Sequence, residues 1–492
     1  MHYTSTRKKL ENVTSTKAIL QGISEEGGLF VPKALPQMDF TLEELATWDY
    51  REVAYRVIKL FFEDIKDEDL RHCTNSAYDE KFDTDEITPM VHTKMASFLE
   101  LFHGPTIAFK DMALSILPYF MLVSKKYNKE DKDVVILTAT SGDTGKAALE
   151  GFANVEGTKI IVFFPQDGVS EVQKRQMLTT VGANTSVVGV KGNFDDCQTT
   201  VKELFADKEF GEEIAKKNYK FSSANSINIG RLVPQVAYYF ASYGKMVKEG
   251  KIAAGDKMNV VVPTGNFGNI LAAYYAKQMG LPIAKLICAS NTNKVLFDFL
   301  QTGTYDRNRE FHLTNSPSMD ILISSNLERL LYHISGEKQE VVCELMQALK
   351  TKGEYTISDD MKEALGDFYG GYADDTVTEK YIKKVYEEEN YLMDTHTAVA
   401  YAVYDNYVKE TKDTTPTVVV STASPYKFTG SVMKAVDSKF EGVNDFTLLE
   451  EMHSLIKGDM PKAMDNIANR EILHDKVCEV KEMKQIVREF LA

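Results

Sequence analysis

The sequence predicts an α/β fold in which buried parallel strands alternate with helices. The first observation is a set of short, continuously apolar runs rich in β-branched residues, at 133–139, 158–165, 185–190, 258–263, 285–290 and 415–421. The second is that most of these runs are followed by a polar or glycine-containing turn and then by a helical pattern. Continuous apolar strands separated by helices are typical of parallel sheets that are covered on both faces.

The length of the chain predicts more than one domain. It has 492 residues, whereas a single hydrophobic core stops growing at about 250–300 residues. Residues 1–84 carry apolar positions at helical spacing, as in 41–64, and we expect a mostly helical N-terminal domain. Residues 85–492 contain the strand runs, with a helical elaboration at about 300–410.

The composition excludes several classes of partner. The net charge of −15 argues against nucleic acid and anionic membranes as main partners, although a small anionic ligand is not excluded. No apolar run reaches the roughly 18 residues that a membrane span needs, and no apolar segment follows the basic N-terminus. The five cysteines are scattered, without a CxxC pair, which is typical of reduced residues and predicts neither disulfides nor a metal site. We therefore expect a cytoplasmic protein.

Lys110 is the first candidate functional residue. The stretch 100–113 reads ELFHGPTIAFKDMA, so the lysine follows a Gly-Pro turn and a short apolar run. A solvated lysine usually lies among other charges, whereas this one has mostly apolar neighbours. The residues alone leave two explanations: a side chain that reaches solvent from a half-buried helix, or an amine placed to react.

The turn after the strand at 133–139 is a candidate anion site. Residues 141–145 read SGDTG and lead into a helix that we expect to begin at about Lys146. Free N–H groups at a helix start, with hydroxyls beside them, bind carboxylates and phosphates. The Walker A pattern GxxxxGK[ST] does not match, because positions 140 and 147 are Thr140 and Ala147. An ordinary helix cap explains this turn equally well.

A similar turn follows the strand at 258–263. Residues 264–269 read TGNFGN, and the helix after them is predicted to end near Met279, before Gly280 and Pro282. Two glycines let the backbone close around a ligand at a helix start, which suits a phosphate. The pattern is not GxGxxG, so a dinucleotide site is not supported, and a plain turn is the alternative.

The strand at 415–421 is followed by Thr422, at the edge of the sheet where α/β proteins bind ligands. A hydroxyl bonded to local backbone is the alternative explanation. Together with Lys110 and the two turns, however, this hydroxyl suits a phosphate-bearing aldehyde. A partly desolvated lysine loses its proton more easily, and its free amine forms a Schiff base. This is the chemistry of pyridoxal phosphate.

Several stretches, in order along the chain, resemble the threonine synthase family. They are YTSTR, EEGGLFVP, ELFHGPTIAFKDMAL, TSGDTGKAAL, SSANSINIGRLVPQVAYYF, PTGNFGNILAAYYAKQMGLP and STASPYKF. The combination is specific, and it extends from Tyr3 to Phe428. The resemblance implies the tryptophan-synthase-β-like fold (PLP fold type II), with a helical N-terminal domain and two parallel-sheet subdomains. The smaller subdomain would be about 125–240, and the larger one would combine 85–124 with 241–492.

The resemblance also implies how the cofactor is bound. Lys110 would form the Schiff base with pyridoxal phosphate and act as the catalytic base. Thr422 would hydrogen-bond to the pyridine nitrogen, where a neutral hydroxyl does not favour a protonated ring and so suits elimination and replacement chemistry. The cofactor phosphate would be held by the loop of Gly265, Asn266, Phe267, Gly268 and Asn269.

The same resemblance implies a substrate site. By analogy with related enzymes, the substrate carboxylate would be received by Ser141, Gly142, Asp143 and Thr144. The candidates for the substrate phosphate are Lys146, Arg175, Asn225 and Arg231, of which arginine is the better bidentate partner.

The activity that the resemblance implies is conversion of O-phospho-L-homoserine and water to L-threonine and inorganic phosphate, by a monomer or homodimer. One alternative is another lyase of this fold, such as a serine/threonine dehydratase or a phospho-amino-acid lyase. Another is a non-catalytic phosphate- or nucleotide-binding α/β protein. The chain departs from the family at Ser424, where many relatives have histidine, and at Thr395, where proline is common. We expect no catalytic role for His103 or His396.

Overall fold

The structure is a computed structural model that describes residues 1–140, 142–167, 169, 171–456 and 460–492. Its N-terminal part is mostly helical, as predicted. The helices there are α1 (Ser15–Gln21), α2 (Leu42–Leu45), α3 (Tyr50–Phe61) and α4 (Asp67–Ala77), and β1 (Tyr3–Ser5) pairs antiparallel with β2 (Phe30–Pro32). Helix α3 begins where the Asp49 side chain accepts from the Glu52 N–H group.

The central part of the chain alternates strands with helices. In order, its elements are β3 (Met90–His92), β4 (Ser97–Glu100), α5 (Asp111–Leu114), α6 (Leu117–Asn128), β5 (Asp133–Ala139), α7 (Asp143–Phe152), β6 (Thr158–Pro165), α8 (Glu171–Leu178), β7 (Thr185–Lys191), α9 (Phe194–Ala206), α10 (Lys208–Lys216), β8 (Tyr219–Ser222), α11 (Ile229–Lys248), β9 (Met258–Pro263), α12 (Gly268–Gln278) and β10 (Ile283–Ser290).

The remaining part is more helical, as expected for 300–410. Its elements are α13 (Val295–Thr302), β11 (Thr304–Asp306), α14 (Leu327–Ile334), α15 (Gln339–Thr351), β12 (Glu354–Thr356), α16 (Asp359–Glu363), β13 (Phe368–Tyr372), α17 (Asp375–Glu389), α18 (Thr395–Thr411), β14 (Thr417–Ser421), α19 (Thr429–Val436), α20 (Asp445–Leu455), β15 (Val477–Glu479) and α21 (Met483–Phe490). Short 3-10 helices include Pro317–Met319 and Pro425–Phe428.

Two sheets form the α/β part of the molecule. The larger has the strand order β13-β10-β9-β14-β4-β3 and is parallel except for β3, which is antiparallel to β4. The smaller has the order β15-β7-β6-β5-β8 and is parallel throughout. All six apolar runs named above are strands of these sheets, so the predicted parallel α/β arrangement is confirmed.

The C-terminal end of the chain lies on the smaller sheet. Strand β15 pairs with β7, and Met483, Val487 and Leu491 of the last helical segment are buried in the core of that sheet. The sequence predicts that all of 241–492 belongs with the larger sheet, whereas the C-terminal strand and helix lie on the smaller one. The physical reason is the apolar face of α21, which is buried against the smaller sheet.

Strands β4, β14 and β9 place three sequence motifs at one edge. They are adjacent and parallel in the larger sheet, so their carboxyl ends lie side by side. The segment that leads to Lys110 follows β4, Thr422 follows β14, and the glycine loop 265–269 follows β9. No helix in the described part of the chain is long and apolar enough to cross a membrane.

Candidate active site

Lys110 is held beside Thr422 by a short backbone pairing. The N–H group of Phe109 donates to the Thr422 oxygen at 2.8 Å, and the N–H group of Ser424 donates to the Ile107 oxygen at 3.0 Å. Lys110 is the next residue along the chain and stands at the start of α5. Two residues that were predicted to contact the same cofactor therefore lie next to each other.

Asp111 fixes the turn that precedes Lys110. Its buried carboxylate accepts from the Thr106 N–H group at 2.8 Å and from the Thr106 hydroxyl at 2.7 Å. Burial raises the pKa of Asp111 to about 6, although these hydrogen bonds oppose the rise. A Cβ atom on Gly104 would lie 2.6 Å from the Asp111 Cβ, so this turn has no room for a side chain at residue 104.

A carboxylate, Asp143, lies beside the Lys110 amine. Lys110 Nζ is 3.5 Å from Asp143 Oδ2 and 3.4 Å from Ser318 Oγ, and the Ser318 hydroxyl donates to the same Asp143 oxygen at 2.9 Å. The other oxygen, Asp143 Oδ1, lies 3.3 Å from Lys427 Nζ and accepts from Gln173 Nε2 at 2.9 Å. Burial opposes the charge, but the two lysine cations hold the pKa of Asp143 well below its usual range.

The amine of Lys110 has a lowered pKa. Burial is the largest cause, the cations of Lys427 and Arg231 lower the pKa further, and the Asp143 carboxylate opposes them. A lowered pKa increases the fraction of free amine at neutral pH. The free amine is the form that attacks a carbonyl group or removes a proton.

The glycine loop lies close to Ser318, and so to the Lys110 amine. A Cβ atom on Gly265 would be 2.6 Å from the Ser318 backbone oxygen, which requires glycine at this position. Phe267 has a φ of 62°, and its buried ring packs against Phe368 with 5.9 Å between the ring centroids. The ring of Phe267 is thus part of the core, which leaves its backbone for a ligand.

The loop fits the phosphate of pyridoxal phosphate. Helix α12 begins at Gly268, and the N–H groups and dipole of a helix start favour an anion. Asn269 Oδ1 accepts from the Tyr238 hydroxyl at 2.6 Å, whereas Asn269 Nδ2 is buried and has no hydrogen-bond partner among the described residues. The Thr422 hydroxyl is also free of hydrogen bonds within the described residues. These groups are the donors and acceptors that a phosphorylated ring would satisfy.

Arg231 has unused hydrogen-bonding capacity. It is buried near the start of α11, and its Nη1 donates to the Ala224 oxygen at 2.9 Å. Its Nε is buried without a partner, and no carboxylate forms an ion pair with it in the part of the chain that the structure describes. Burial lowers the pKa of Arg231 to about 10. Asn225, which precedes it in the same motif, is exposed.

The other two candidates for the substrate phosphate are engaged within the protein. Lys146 is buried, forms an ion pair with the partly exposed Glu150 and donates to the Thr180 hydroxyl at 2.7 Å. Arg175 donates to the backbone oxygens of residues 467 and 468, at 3.3 and 2.6 Å. Both side chains therefore connect the smaller sheet and its helices to neighbouring segments.

The turn predicted to receive the substrate carboxylate reaches the site through Asp143. Helix α7 begins at that residue and not at about Lys146. The Thr140 hydroxyl accepts from the N–H groups of Gly142 and Gly145, at 3.0 Å each, and this organises the turn. Thr144 is half-buried in the first turn of the helix, and Ser141 lies outside the described residues.

Sequence reasoning missed two side chains of this site, Ser318 and Lys427, and it expected no catalytic role for a third, His396. His396 Nε2 accepts from the Ser318 N–H group at 3.2 Å, and His396 Nδ1 is 2.7 Å from Asp394 Oδ2. Lys427 lies in the motif STASPYKF, whose position after a strand was an available signal. No comparable signal existed for Ser318 or His396, because neither follows a strand that ends at this edge.

The two departures from the family pattern both lie at helix starts. Ser424 precedes the 3-10 helix Pro425–Phe428, and its buried side chain accepts from the Tyr426 N–H group at 3.4 Å. Thr395 is the first residue of α18, directly after Asp394, which caps that helix. The Ser424 contact explains a serine at that position, and nothing in the structure explains why Thr395 replaces proline.

Three family models match successive parts of the chain. "Threonine synthase N terminus" covers residues 2–78, "Pyridoxal-phosphate dependent enzyme" covers 88–423, and "Threonine synthase, C-terminal" covers 397–487. The second of these alone spans more than half of the chain. It contains Lys110, the glycine loop and Thr422.

Known proteins give the same result. Threonine synthase from Saccharomyces cerevisiae is 36% identical over 465 residues, which are 88% of this chain and 89% of the yeast protein. Threonine synthase-like 1 from Macaca fascicularis is 40% identical over 437 residues, 86% of this chain, and the chain spans about 58% of that relative's length. The crystal structure of PLP-bound threonine synthase from Brucella melitensis has a TM-score of 0.87 and 36% identity, covering 100% of this chain and 99% of that one. This likeness confirms the fold that the sequence predicted.

Proposed function

The chain belongs to the threonine synthase family of pyridoxal-phosphate dependent enzymes, and we propose that it converts O-phospho-L-homoserine and water to L-threonine and inorganic phosphate. The observation that carries this proposal is the pair formed by a buried lysine amine of lowered pKa and a buried arginine without a counter-ion. The lysine suits the cofactor and the proton transfers. The arginine suits a second phosphate, which this substrate brings.

Three parts of the chain would hold pyridoxal phosphate. The Lys110 amine would bond to its aldehyde, the loop 265–269 would bind its phosphate, and the Thr422 hydroxyl would accept or donate a hydrogen bond at its ring nitrogen. When bound, pyridoxal phosphate withdraws electrons from the substrate α carbon. The unsatisfied Asn269 Nδ2 and the close approach of Gly265 to Ser318 support this arrangement.

Lys110 would carry the proton transfers. Once the substrate amine has replaced Lys110 at the aldehyde, the free Lys110 amine would remove a proton from the α carbon and then move one from the β carbon, so that phosphate leaves from the γ carbon. The γ carbon would then receive a proton, water would add at the β carbon, and the α carbon would be protonated again as Lys110 returns to the aldehyde and L-threonine is released. A single base serves several steps because it lies at the end of a flexible side chain. Burial of Lys110 and the cations of Lys427 and Arg231 favour the uncharged amine that these steps need.

Arg231 and Asn225 would bind the substrate phosphate. A guanidinium presents several donors in one plane and binds phosphate oxygens in pairs. The buried Nε of Arg231 has no partner in the described residues, and an incoming anion would satisfy it. The substrate carboxylate would lie at the turn 141–144. Lys146 and Arg175 are weaker candidates for binding the substrate phosphate, because their donors already bind other parts of the chain.

The proposal is tested by incubating the purified protein with O-phospho-L-homoserine. We expect inorganic phosphate and threonine in equal amounts, with no threonine from the Lys110→Ala variant. Lys125→Ala serves as the control, since Lys125 forms an ion pair with Asp133 at 3.1 Å, apart from the Asp143 cluster. Release of phosphate with 2-oxobutyrate would favour a dehydratase-type lyase. A protein that binds phosphate without any turnover would favour the non-catalytic alternative.

The substrate phosphate site has its own variant. We expect Arg231→Met to raise the KM for O-phospho-L-homoserine by about tenfold to a hundredfold, in line with the about 1.5–3 kcal/mol of a charged hydrogen bond. Arg231→Lys should recover part of this loss. An unchanged KM in Arg231→Met would remove Arg231 from the site. We further propose a cytoplasmic location. We also propose that the protein is a monomer or a homodimer, and analytical ultracentrifugation distinguishes these two states.

A further inference from the structure

Two lysines, one buried (Lys427) and one mostly buried (Lys110), share one carboxylate in this site. Lys427 Nζ is 3.3 Å from Asp143 Oδ1, and Lys110 Nζ is 3.5 Å from Asp143 Oδ2. We propose that Lys427 is a positioning residue that occupies Asp143 and thereby keeps the Lys110 amine available as a free base. The inference deepens the proposed function, because it concerns the state of the lysine on which that function depends.

Lys427 is a built-in part of the site. It is 4% exposed, lies in the 3-10 helix directly after β14, and donates to the Thr106 oxygen at 2.8 Å. A buried ammonium is costly unless it is paired and hydrogen-bonded. Asp143 supplies the charge and Thr106 supplies an acceptor, so the Lys427 side chain is both paired and hydrogen-bonded. Thr106 also donates to Asp111 in the turn before Lys110.

Charged groups face the Lys110 amine from three elements. Asp143 at the start of α7 is the anion with the largest effect on its pKa, and the cations with the largest effects are Lys427 and Arg231 of α11. Asp143 is in turn acted on by His396 of α18 and accepts from the neutral Ser318 hydroxyl. Because Asp143 divides its charge between two lysines, it holds a proton on Lys110 less strongly than an unshared carboxylate would.

Removing the charge of Lys427 should therefore shift Asp143 toward Lys110 alone. The Lys110 ammonium would gain a full counter-ion and lose a repelling cation, and both changes raise its pKa. A purely structural role predicts something else. If Lys427 only holds the turn through Thr106, its loss should disturb the fold around Lys110 without a defined change in titration.

The test measures the titration of Lys110 directly in the cofactor-free protein. Trace labelling with acetic anhydride at a series of pH values, with mass spectrometry of the peptide that contains Lys110, gives the midpoint at which this amine becomes reactive. We expect Lys427→Met and Lys427→Gln to move the midpoint upward by about one pH unit or more, a roughly tenfold loss of free amine at neutral pH. Gln keeps a donor for the Thr106 oxygen, so the charge is tested apart from the hydrogen bond.

Two further variants complete the experiment. Lys427→Arg should keep the wild-type midpoint, and Lys125→Met should leave it unchanged, since Lys125 pairs with Asp133. Circular dichroism identifies any variant that fails to fold, and either neutral variant that folds decides the question. An unshifted Lys110 midpoint in a folded neutral variant would overturn the proposal.

The loaded enzyme provides a second measurement. The acid limb of the kcat/KM profile should shift upward in the neutral variants by the same amount as the labelling midpoint, and Lys427→Arg should restore it. The labelling result requires no substrate. If threonine is not formed but the midpoint shifts, the proposed function fails and the role of Lys427 stands. If threonine is formed and the midpoint does not shift, the proposed function stands and the role of Lys427 fails.

Discussion

Lys110 differs from the other lysines of the chain in what surrounds its amine. Most lysine ion pairs here are at least partly exposed, as between Lys126 and Asp69, and such pairs contribute little. The Lys110 amine instead meets a mostly buried carboxylate that a second, fully buried lysine also uses. At this scale the reactivity of a side chain follows from the charges around it, and residue type alone does not decide it.

His103 gives a pH-dependent contribution to stability. Its ring nitrogens lie 2.6 Å from Asp83 Oδ1 and 2.9 Å from Glu100 Oε2. Burial opposes the charged ring, but the two carboxylates outweigh it and raise the pKa of His103 to about 9, above the roughly 6.5 of an unfolded histidine. The contribution is therefore complete below about pH 6.5 and is lost as the pH rises toward about 9.

We accordingly expect His103→Gln to lower the thermal midpoint strongly at about pH 6 and much less at about pH 9.5. The upper bound is on the order of 3 kcal/mol in the free energy of unfolding. Melting curves followed by circular dichroism at the two pH values measure the difference. His72→Gln, at an exposed position, is the matched control. An equal decrease in the thermal midpoint at both pH values would mean that the His103 ring stabilises the protein by packing and not by charge.

Thr422 and the loop 265–269 were predicted from their position after apolar strands, and Lys110 was predicted from its apolar surroundings, whereas Lys427 was missed although it also follows a strand. The order of β4, β14 and β9 brings the first three together. Ser318 reaches the Lys110 amine from the 3-10 helix Pro317–Met319, 208 residues later in the chain, and contacts of this kind depend on the path of the whole chain. The residues near Ser318 in the sequence therefore do not predict this contact.

At the scale of elements, long apolar strands were predicted and short ones were not. The run at 158–165 is strand β6 with the same bounds, and the run at 415–421 is β14 (Thr417–Ser421). By contrast, β8 (Tyr219–Ser222) has a half-exposed pattern, and three-residue strands such as β11 have too few positions for any periodicity. Their pairing partners, and not their own residues, determine that they are strands.

The loop between β9 and α12 depends on one close backbone approach. We expect Gly265→Ala to weaken pyridoxal phosphate binding, because the new Cβ would lie 2.6 Å from the Ser318 oxygen and the loop would have to move. Overpacking of this kind costs about 1–3 kcal/mol, which corresponds to roughly fivefold to a hundredfold in the dissociation constant. Titration of the cofactor-free protein, followed by the visible absorbance of bound cofactor, measures it.

Gly211→Ala is the matched control for this substitution. Gly211 lies in α10, where a Cβ atom would meet nothing within 4 Å. The Gly211→Ala protein should therefore bind the cofactor with unchanged affinity, and alanine should slightly stabilise the helix. Unchanged cofactor affinity in Gly265→Ala would show that the loop adapts without cost. It would also remove the argument that this glycine is required by its neighbour.

At the scale of the whole molecule, the N-terminal part is connected to the cofactor loop through the start of α14. The Arg329 side chain is fully buried, donates through Nε to the Phe30 oxygen at 2.9 Å and also binds Asn326. The Asn326 N–H group in turn donates to the Asn266 oxygen at 3.1 Å. We therefore expect a change in how residues 1–84 pack to affect the loop through these hydrogen bonds.

The ion pair between Arg7 and Glu328 tests this connection. Arg7 donates through Nε and Nη2 to the two Glu328 oxygens, at 2.8 and 2.7 Å, and Glu328 is 5% exposed. Arg7→Ala would leave a buried carboxylate with the Thr6 hydroxyl as its remaining donor, at an expected cost of about 3 kcal/mol. We expect a lower thermal midpoint and weaker binding of pyridoxal phosphate, although Arg7 lies outside the cofactor loop.

A double-mutant cycle separates the pair from its parts. Glu328→Gln removes the buried charge, so Arg7→Ala should cost much less in that background than in the wild type, with a coupling on the order of 1–3 kcal/mol. Lys9→Ala, at an exposed position nearby, should change neither the thermal midpoint nor the cofactor affinity. If Arg7→Ala lowers the thermal midpoint and leaves cofactor affinity intact, the N-terminal part stabilises the protein without acting on the loop. We expect Arg7→Ala to lower both the thermal midpoint and the affinity for the cofactor. The reason is that Glu328 and the Arg329–Asn326 contact lie in the same turn of α14 that holds the loop in place.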